Sequence, residues 1–246
     1  YALSTYHAAT GDRESLDMAI ELYRLIEQYS FDRERGGYFE AFTREWGEIA
    51  DLRLSAKDAN EKKTMNTHLH ILEAYTALYK VWPDMELRQQ LSGLVKVFNK
   101  HIVDPDTSHL ILFFDEEWNR RSAIVSYGHD IEASWLLCEA SAALGESAAA
   151  IGEPAAAPGE DESIEGVALR IASAAHEGIA EDGSLYYEKD DAAGHFDRDR
   201  HWWVQSEAVV GFLNAWQLSG DASWLGMASD AFGYILKNLV DRENGE

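Results

Sequence analysis

Apolar residues recur at helical spacing over eight stretches of this chain, separated by short polar breaks rather than by the strict alternation of a half-buried strand. The clearest punctuation is Thr10-Gly11-Asp12 and Ser219-Gly220-Asp221, where a glycine suits the end of one helix and an aspartate the cap of the next. The segments that follow match without a gap. Leu16 and Leu225 stand four residues after their acids, Ala19 and Ala228 seven, and Asp32-Arg33-Glu34 and Asp241-Arg242-Glu243 twenty. A looser third copy runs from Pro83-Asp84 through Leu87 and Leu91 to Asp104. The repeating unit is a helical hairpin, and the spacing predicts helices over 1–10, 14–30, 66–80, 85–101, 129–144, 163–179, 202–218 and 222–239, paired as four hairpins.

Between hairpins, Gly36-Gly37-Tyr38-Phe39-Glu40 and Gly183-Ser184-Leu185-Tyr186-Tyr187-Glu188 combine glycine turns with aromatics, which suits short β excursions. The stretch 145–166 is rich in Ala, Gly, Glu and Pro and reads as a solvated insertion; because the repeat resumes beyond it, residues 1–246 are expected to form one domain. Three reactive side chains occupy one register. His70 stands fourteen residues ahead of Asp84, Glu132 fourteen ahead of Glu146, and Glu207 fourteen ahead of Asp221. An open solenoid would spread such groups along a concave face, whereas groups at one level suit a closed toroid of hairpins with the three side chains converging on one pocket. The expected fold class is all-α.

Candidate chemistry clusters on three of these helices. In Ser126-Tyr127-Gly128-His129-Asp130-Ile131-Glu132-Ala133-Ser134-Trp135, His129 and Glu132 share a helix face that Trp135 continues, and Gly128 is expected to let a ligand approach the backbone. In Met65-Asn66-Thr67-His68-Leu69-His70, Asn66 and His70 share a face while His68 points elsewhere into packing or the surface, so the two histidines make a poor chelate. In Trp202-Trp203-Val204-Gln205-Ser206-Glu207, Trp203 and Glu207 are four apart, an aromatic platform beside a carboxylate of the kind that stacks a pyranose and bonds its hydroxyls. Against these stand bland readings: a core histidine with a capping acid, and a Trp-rich packing seam. The remaining histidines, His7, His101, His109, His176, His195 and His201, read as structural or surface groups. No metal motif, Gly-rich phosphate loop or nucleophile elbow is present, so a mechanism without a metal is expected.

Composition narrows the partners. With 21 basic and 44 acidic residues the formal net charge is −23, which repels phosphate backbones and anionic lipid and argues against nucleic acid or a membrane. A neutral sugar is indifferent to that field, and eight Trp with eleven Tyr supply stacking surface. The lone Cys138 reads as core packing and gives no sign of an oxidising compartment, so a cytoplasmic protein is expected, with monomer and homodimer both open.

At these motifs the chain resembles the N-acylglucosamine 2-epimerase superfamily, and within it the cellobiose 2-epimerases. Asn66-Thr67-His68-Leu69-His70, Gly128-His129-Asp130-Ile131-Glu132-Ala133-Ser134-Trp135 and Trp202-Trp203-Val204-Gln205-Ser206-Glu207 occur in that family's order and approximate spacing. The resemblance implies an (α/α)6 barrel, incomplete here, no cofactor, and reversible epimerisation at C2 of the reducing-end glucose of β-1,4-disaccharides such as cellobiose or lactose through an enediolate. It implies that His129 is one of two general acid/base histidines, that His70 bonds the sugar near O1 and O2, and that Glu132 assists ring opening and orients His129. Asn66, Trp135, Trp203 and Glu207 become substrate contacts. The family's second acid/base histidine falls beyond Glu246 and a substrate-binding arginine before Tyr1, so the 246 residues alone are expected to be inactive. Two other readings fit the residues: a glycoside hydrolase using Glu132 and Glu207 as paired carboxylates, and a non-catalytic sugar-binding relative.

Overall fold

Gly11 and Gly220 adopt the left-handed conformation, at φ 75° and 72°, and each terminates a helix with its amide bonded back to a carbonyl of the last turn. The aspartate that follows each one caps the next helix. Asp12 Oδ2 accepts from Ser15 N at 2.8 Å and Asp221 Oδ1 from Ser223 N at 2.9 Å, as Asp84 Oδ1 does from Glu86 N at 2.8 Å. These devices bound α1 (Ala2–Thr10), α2 (Arg13–Tyr29), α3 (Met65–Val81), α4 (Met85–Val97), α5 (Tyr127–Leu144), α6 (Ile164–Ala175), α7 (Trp202–Ser219) and α8 (Ala222–Asn238). The expected fourth helix ends in a π-helical turn, Phe98–Ile102, and the sixth in a 3₁₀ turn, His176–Gly178. The computed structural model describes residues 1–56, 58–145 and 163–245. Glu146 and most of the expected 145–166 insertion therefore lie outside the described residues, and the expected insertion is shorter at its end, because Ser163 already caps α6 by accepting from Gly166 N.

The described residues fall into two compact units. One holds Tyr1–Ile102, Ile111–Ser122 and the end of α5 from Glu139. Within it α1 packs on α2 and α3, and α3 on α4. Leu16 and Ile20 of α2, Leu69, Leu72 and Tyr75 of α3, and Leu87, Leu91 and Leu94 of α4 are buried at the three- and four-residue spacing that one helix face requires. A short antiparallel pair, β1 (Lys63–Thr64) with β2 (Phe113–Phe114), leads into α3. Lys63 is fully buried: its Nζ lies 2.8 Å from Asp32 Oδ2, donates to the carbonyls of Gly36 and Glu116, and sits 4.5 Å over the Trp118 ring.

The other unit holds Val103–Leu110, α5 up to Cys138, and the described residues from Ser163 onward. Here α6 packs on α7 and α7 on α8, around a core of Ile131, Ala172, Ala175, Val204, Ala208, Phe212, Ala228 and Ala231. The small residues let these helices approach closely. A three-stranded antiparallel sheet of β3 (Ile124–Ser126), β4 (Glu188–Asp190) and β5 (His195–Asp197) borders this core, with Ser126 opposite Glu188. The expected Gly-aromatic excursions hold the isolated bridges of Tyr38 with Phe31 and of Leu185 with Ile179, and the second reaches the sheet at its last residue, Glu188, the start of β4.

After α2, α4 and α6 the chain turns in the same way. Asp32 Oδ1 accepts from the amides of Glu34 and Arg35, and Asp104 Oδ1 from those of Asp106 and Thr107. Asp182 Oδ1 accepts from Ser184 N. Each is an Asx-type turn in which a carboxylate takes over backbone donors that no ladder satisfies. Asp32 and Asp104 stand twenty residues after the caps Asp12 and Asp84, and Asp241, twenty after Asp221, likewise accepts from the amides of Glu243 and Asn244, so the repeated acids are turn-formers.

Candidate active site

His70, Glu132 and Glu207 are each the sixth residue of their helix, since α3, α5 and α7 begin five positions earlier at Met65, Tyr127 and Trp202. The common register therefore holds from the start of each first helix, and for His70 and Glu207 also from the partner-helix caps Asp84 and Asp221.

In the unit containing α5 and α7, the two expected stripes are joined side chain to side chain. Trp135 Nε1 donates to Glu207 Oε2 at 2.8 Å, and the His129 ring lies 4.9 Å from that of Trp203 at 54°. Trp203 in turn meets Tyr187 edge-on at 6.3 Å, and Tyr187 stacks on His201 at 4.1 Å. His129, Glu132, Trp135, Trp203 and Glu207 are all half-buried, on the margin between the core of α5 and α7 and solvent. The start of α5 is tied to the sheet. Tyr127 N donates to Tyr187 O at 3.3 Å, and Ser126 Oγ lies 2.7 Å from His129 Nδ1. Ser126 belongs to β3 and is buried, so the strand pairing sets the hydroxyl that engages the imidazole.

Gly128 departs from its expected role. A Cβ there would lie 2.7 Å from Trp203 Cη2 and 2.7 Å from Val204 Cγ2, so the close approach that the glycine permits is made by the Trp203 side chain. The residue after His129 is equally constrained. Asp130 is fully buried; its Oδ2 lies 2.7 Å from His109 Nδ1 and its Oδ1 accepts from Leu110 N at 2.8 Å. His109 Nε2 lies 3.4 Å from Glu177 Oε2, which Lys189 Nζ approaches to 3.3 Å. Burial disfavours a charged His109, but Asp130 and Glu177 outweigh it, and its pKa is raised above the ordinary imidazole value. His109 is thus buried in an ionic network that the sequence did not signal.

The unit containing α3 carries Asn66 and His70. His70 is exposed, its Nδ1 3.5 Å from Glu73 Oε2, and Asn66 is half-buried. Glu40, unremarked in the sequence, accepts from Thr64 and Thr67, the latter at 2.6 Å. Burial raises its pKa against those hydrogen bonds, and the charge of His70 acts on it in the lowering sense. His68 is fully buried in packing, Nδ1 2.6 Å from Thr64 O and Nε2 accepting from Tyr38 N at 2.9 Å. Cys138 is inert: burial, with Glu165 nearby, pushes its thiol up to about 12.

The family model described as N-acylglucosamine 2-epimerase (GlcNAc 2-epimerase) matches residues 1–246. The chain belongs to the N-acylglucosamine 2-epimerase family. Among family members, the cellobiose 2-epimerase of Bacteroides fragilis is 52% identical over 246 residues, a match covering 100% of this chain and 60% of the relative. That of Ruminococcus albus is 38% identical over 247 residues, with the same coverage. The solved cellobiose 2-epimerase from Bacillus thermoamylovorans superposes with a TM-score of 0.89 at 37% identity, covering 100% of this chain and 60% of that one. The chain thus spans about three-fifths of the length of these relatives, and the likeness bears out the expected all-α fold class, part of an (α/α) barrel. Among the described residues no helix is long and apolar enough to cross a membrane.

Proposed function

We propose that the protein is a carbohydrate epimerase that inverts C2 at the reducing-end glucose of a β-1,4-disaccharide such as cellobiose or lactose, and that His129 is one of its two acid/base groups. The observation that carries this reading is the environment of His129: an imidazole with Nδ1 engaged by Ser126 and its ring against Trp203, beside the Trp135–Glu207 pair. The names of the family relatives supply the substrate class.

In the open-chain sugar the C2 proton is acidified by the neighbouring aldehyde, and its removal needs a positioned base with a pKa near working pH. The base form of this reading is the tautomer in which Nδ1–H donates to Ser126 Oγ, which leaves the lone pair on Nε2, the nitrogen that takes the proton. Glu132, one turn along the same face, assists ring opening and orients the imidazole. Trp203 stacks against the pyranose, and Glu207, with Trp135, bonds its hydroxyls. His70 and Asn66 are assigned to the substrate on the family resemblance, His70 near O1 and O2, where a donor stabilises the enediolate oxygens. Inversion then requires proton return on the opposite face by a second acid/base group in its protonated form. The chemistry is carried by imidazole and carboxylate groups alone, without a cofactor.

Glu207 Oε2 held as an acceptor by Trp135 suits a substrate-orienting carboxylate better than the protonated acid a glycosidase needs. The test is deuterium uptake at C2 of cellobiose in D2O, catalysed by the full-length protein. His129→Asn is expected to slow exchange at least about a hundredfold. Exchange at the wild-type rate removes His129 from the mechanism, and release of glucose from cellobiose replaces epimerisation with hydrolysis.

A further inference from the structure

Five consecutive residues, from the last of β3 through the first turn of α5, are each held by a different neighbour. Ser126 pairs across the sheet, Tyr127 N bonds to Tyr187 O, Gly128 admits Trp203, His129 Nδ1 meets Ser126, and Asp130 is bound at both oxygens by adjacent residues of one loop, His109 and Leu110. The last attachment is the costly one. Burying a carboxylate and an imidazole together carries a desolvation penalty, and an apolar pair of similar volume would staple the helix to the loop as well or better. A two-point, charge-assisted clamp supplies what an apolar contact does not, a fixed roll of the helix about its own axis.

We propose that His109, by clamping Asp130, is a positioning residue that sets the roll of the first turn of α5 and so aims His129 at the substrate carbon. The inference rests on His129 being the acid/base group.

The sensitivity follows from helix geometry. Side-chain ends lie about 5–6 Å from the axis, so a roll of about 10° moves an imidazole by about 1 Å. A displacement of that size at a reacting group costs up to about a hundredfold in rate. Glu177 and Lys189 hold His109 from its other side, and the Tyr127 ring lies edge-on to it at 6.1 Å, so the clamp itself has little freedom. Asp130 and Glu177 raise the pKa of His109 against the effect of burial, while burial raises that of Asp130.

Three variants of the full-length protein test this. His109→Ala removes the clamp, His109→Asn keeps an N–H donor near the position of Nδ1, and Asp130→Asn keeps the shape but replaces the acceptor facing His109 with a donor. The expected result for His109→Ala is a tenfold or greater fall in kcat with KM within threefold. Its isotope effect with C2-deuterated cellobiose should exceed that of wild type, because proton abstraction has become slower. His109→Asn should recover most of kcat and Asp130→Asn should fall with His109→Ala. If His109→Ala does not fold, Asp130→Asn carries the same expectation. A purely structural role predicts a lower melting temperature with kcat and isotope effect unchanged, and that outcome overturns the proposal. His129→Asn, measured alongside, separates the two readings: full exchange activity there refutes the assignment of His129, whereas loss there with wild-type kinetics in the clamp variants refutes the clamp alone.

Discussion

Acidification should weaken the fold through one residue in particular, His68. Its two nitrogens are committed to opposite roles: Nδ1–H donates to Thr64 O at 2.6 Å, and Nε2 accepts from Tyr38 N at 2.9 Å. Protonation would place a second N–H against the Tyr38 amide, turning a hydrogen bond into a donor–donor conflict inside a fully buried site. Burial accordingly pushes the His68 pKa from the ordinary 6.5 down to about 4. At 1.36 kcal/mol for each tenfold in proton affinity, that depression corresponds to about 3 kcal/mol. The sign follows from which state binds the proton. Between about pH 6.5 and 4 the unfolded chain takes up a proton that the folded one refuses, so the stabilisation is complete above pH 6.5 and is lost as pH falls toward 4. The assay is urea denaturation of wild type and His68→Gln across this range, since glutamine can present Oε1 to Tyr38 N and does not titrate. Wild type should lose about 3 kcal/mol more than the variant between pH 7 and pH 4. Equal slopes, or an imidazole NMR titration of His68 near pH 6.5, would refute the reasoning.

Three further outcomes test the packing and the site. Gly128→Ala drives a methyl into Trp203 and Val204 and should cost about 1–3 kcal/mol by thermal or denaturant unfolding; an unchanged midpoint would mean that the α5–Trp203 contact yields freely. Trp135→Phe keeps an aromatic ring but removes the donor to Glu207, and should raise KM for cellobiose about tenfold, or about 1.4 kcal/mol, with a smaller change in kcat; an unaltered KM would detach the pair from substrate binding. Lys63→Met leaves Asp32 buried beside two backbone donors without its cation, and should destabilise by about 3 kcal/mol; a loss below about 1 kcal/mol, measured by denaturation, would contradict the burial argument.

The helices were legible because their ends are written in local chemistry. Gly11 with Asp12 and Gly220 with Asp221 terminate and cap within two residues, and Leu and Ala at helical spacing then mark the buried face. The opposite orientations of His68 and His70 followed from the same geometry, one buried and one exposed. What was not legible depends on partners far apart in sequence. Nothing near His109 announces Asp130, and Ile124–Ser126 becomes a strand only because Glu188–Asp190 lies beside it. Gly128 was misread for a related reason: a glycine before a cluster of reactive residues signals close approach, but only the fold decides that Trp203 makes it. Glu40 gave no signal, since its role comes from Thr64 and Thr67 across a loop.

The shared register explains how one scaffold can host different chemistry at equivalent positions. His70, Glu132 and Glu207 occupy the sixth position of α3, α5 and α7, and three positions earlier stand Thr67, His129 and Val204. Thr67 bonds Glu40 and Val204 is fully buried, so in two of the hairpins this earlier position serves packing or a local hydrogen bond. In α5 it bears an imidazole instead, and the surroundings have changed to suit. A serine in β3 engages Nδ1, a glycine makes room for Trp203, and the next residue is clamped by His109 and Leu110. A reactive histidine placed at a packing position of an ordinary helical repeat would be free to roll with its helix. The attachments around His129 remove that freedom, and they are concentrated at the one hairpin for which acid/base chemistry is proposed.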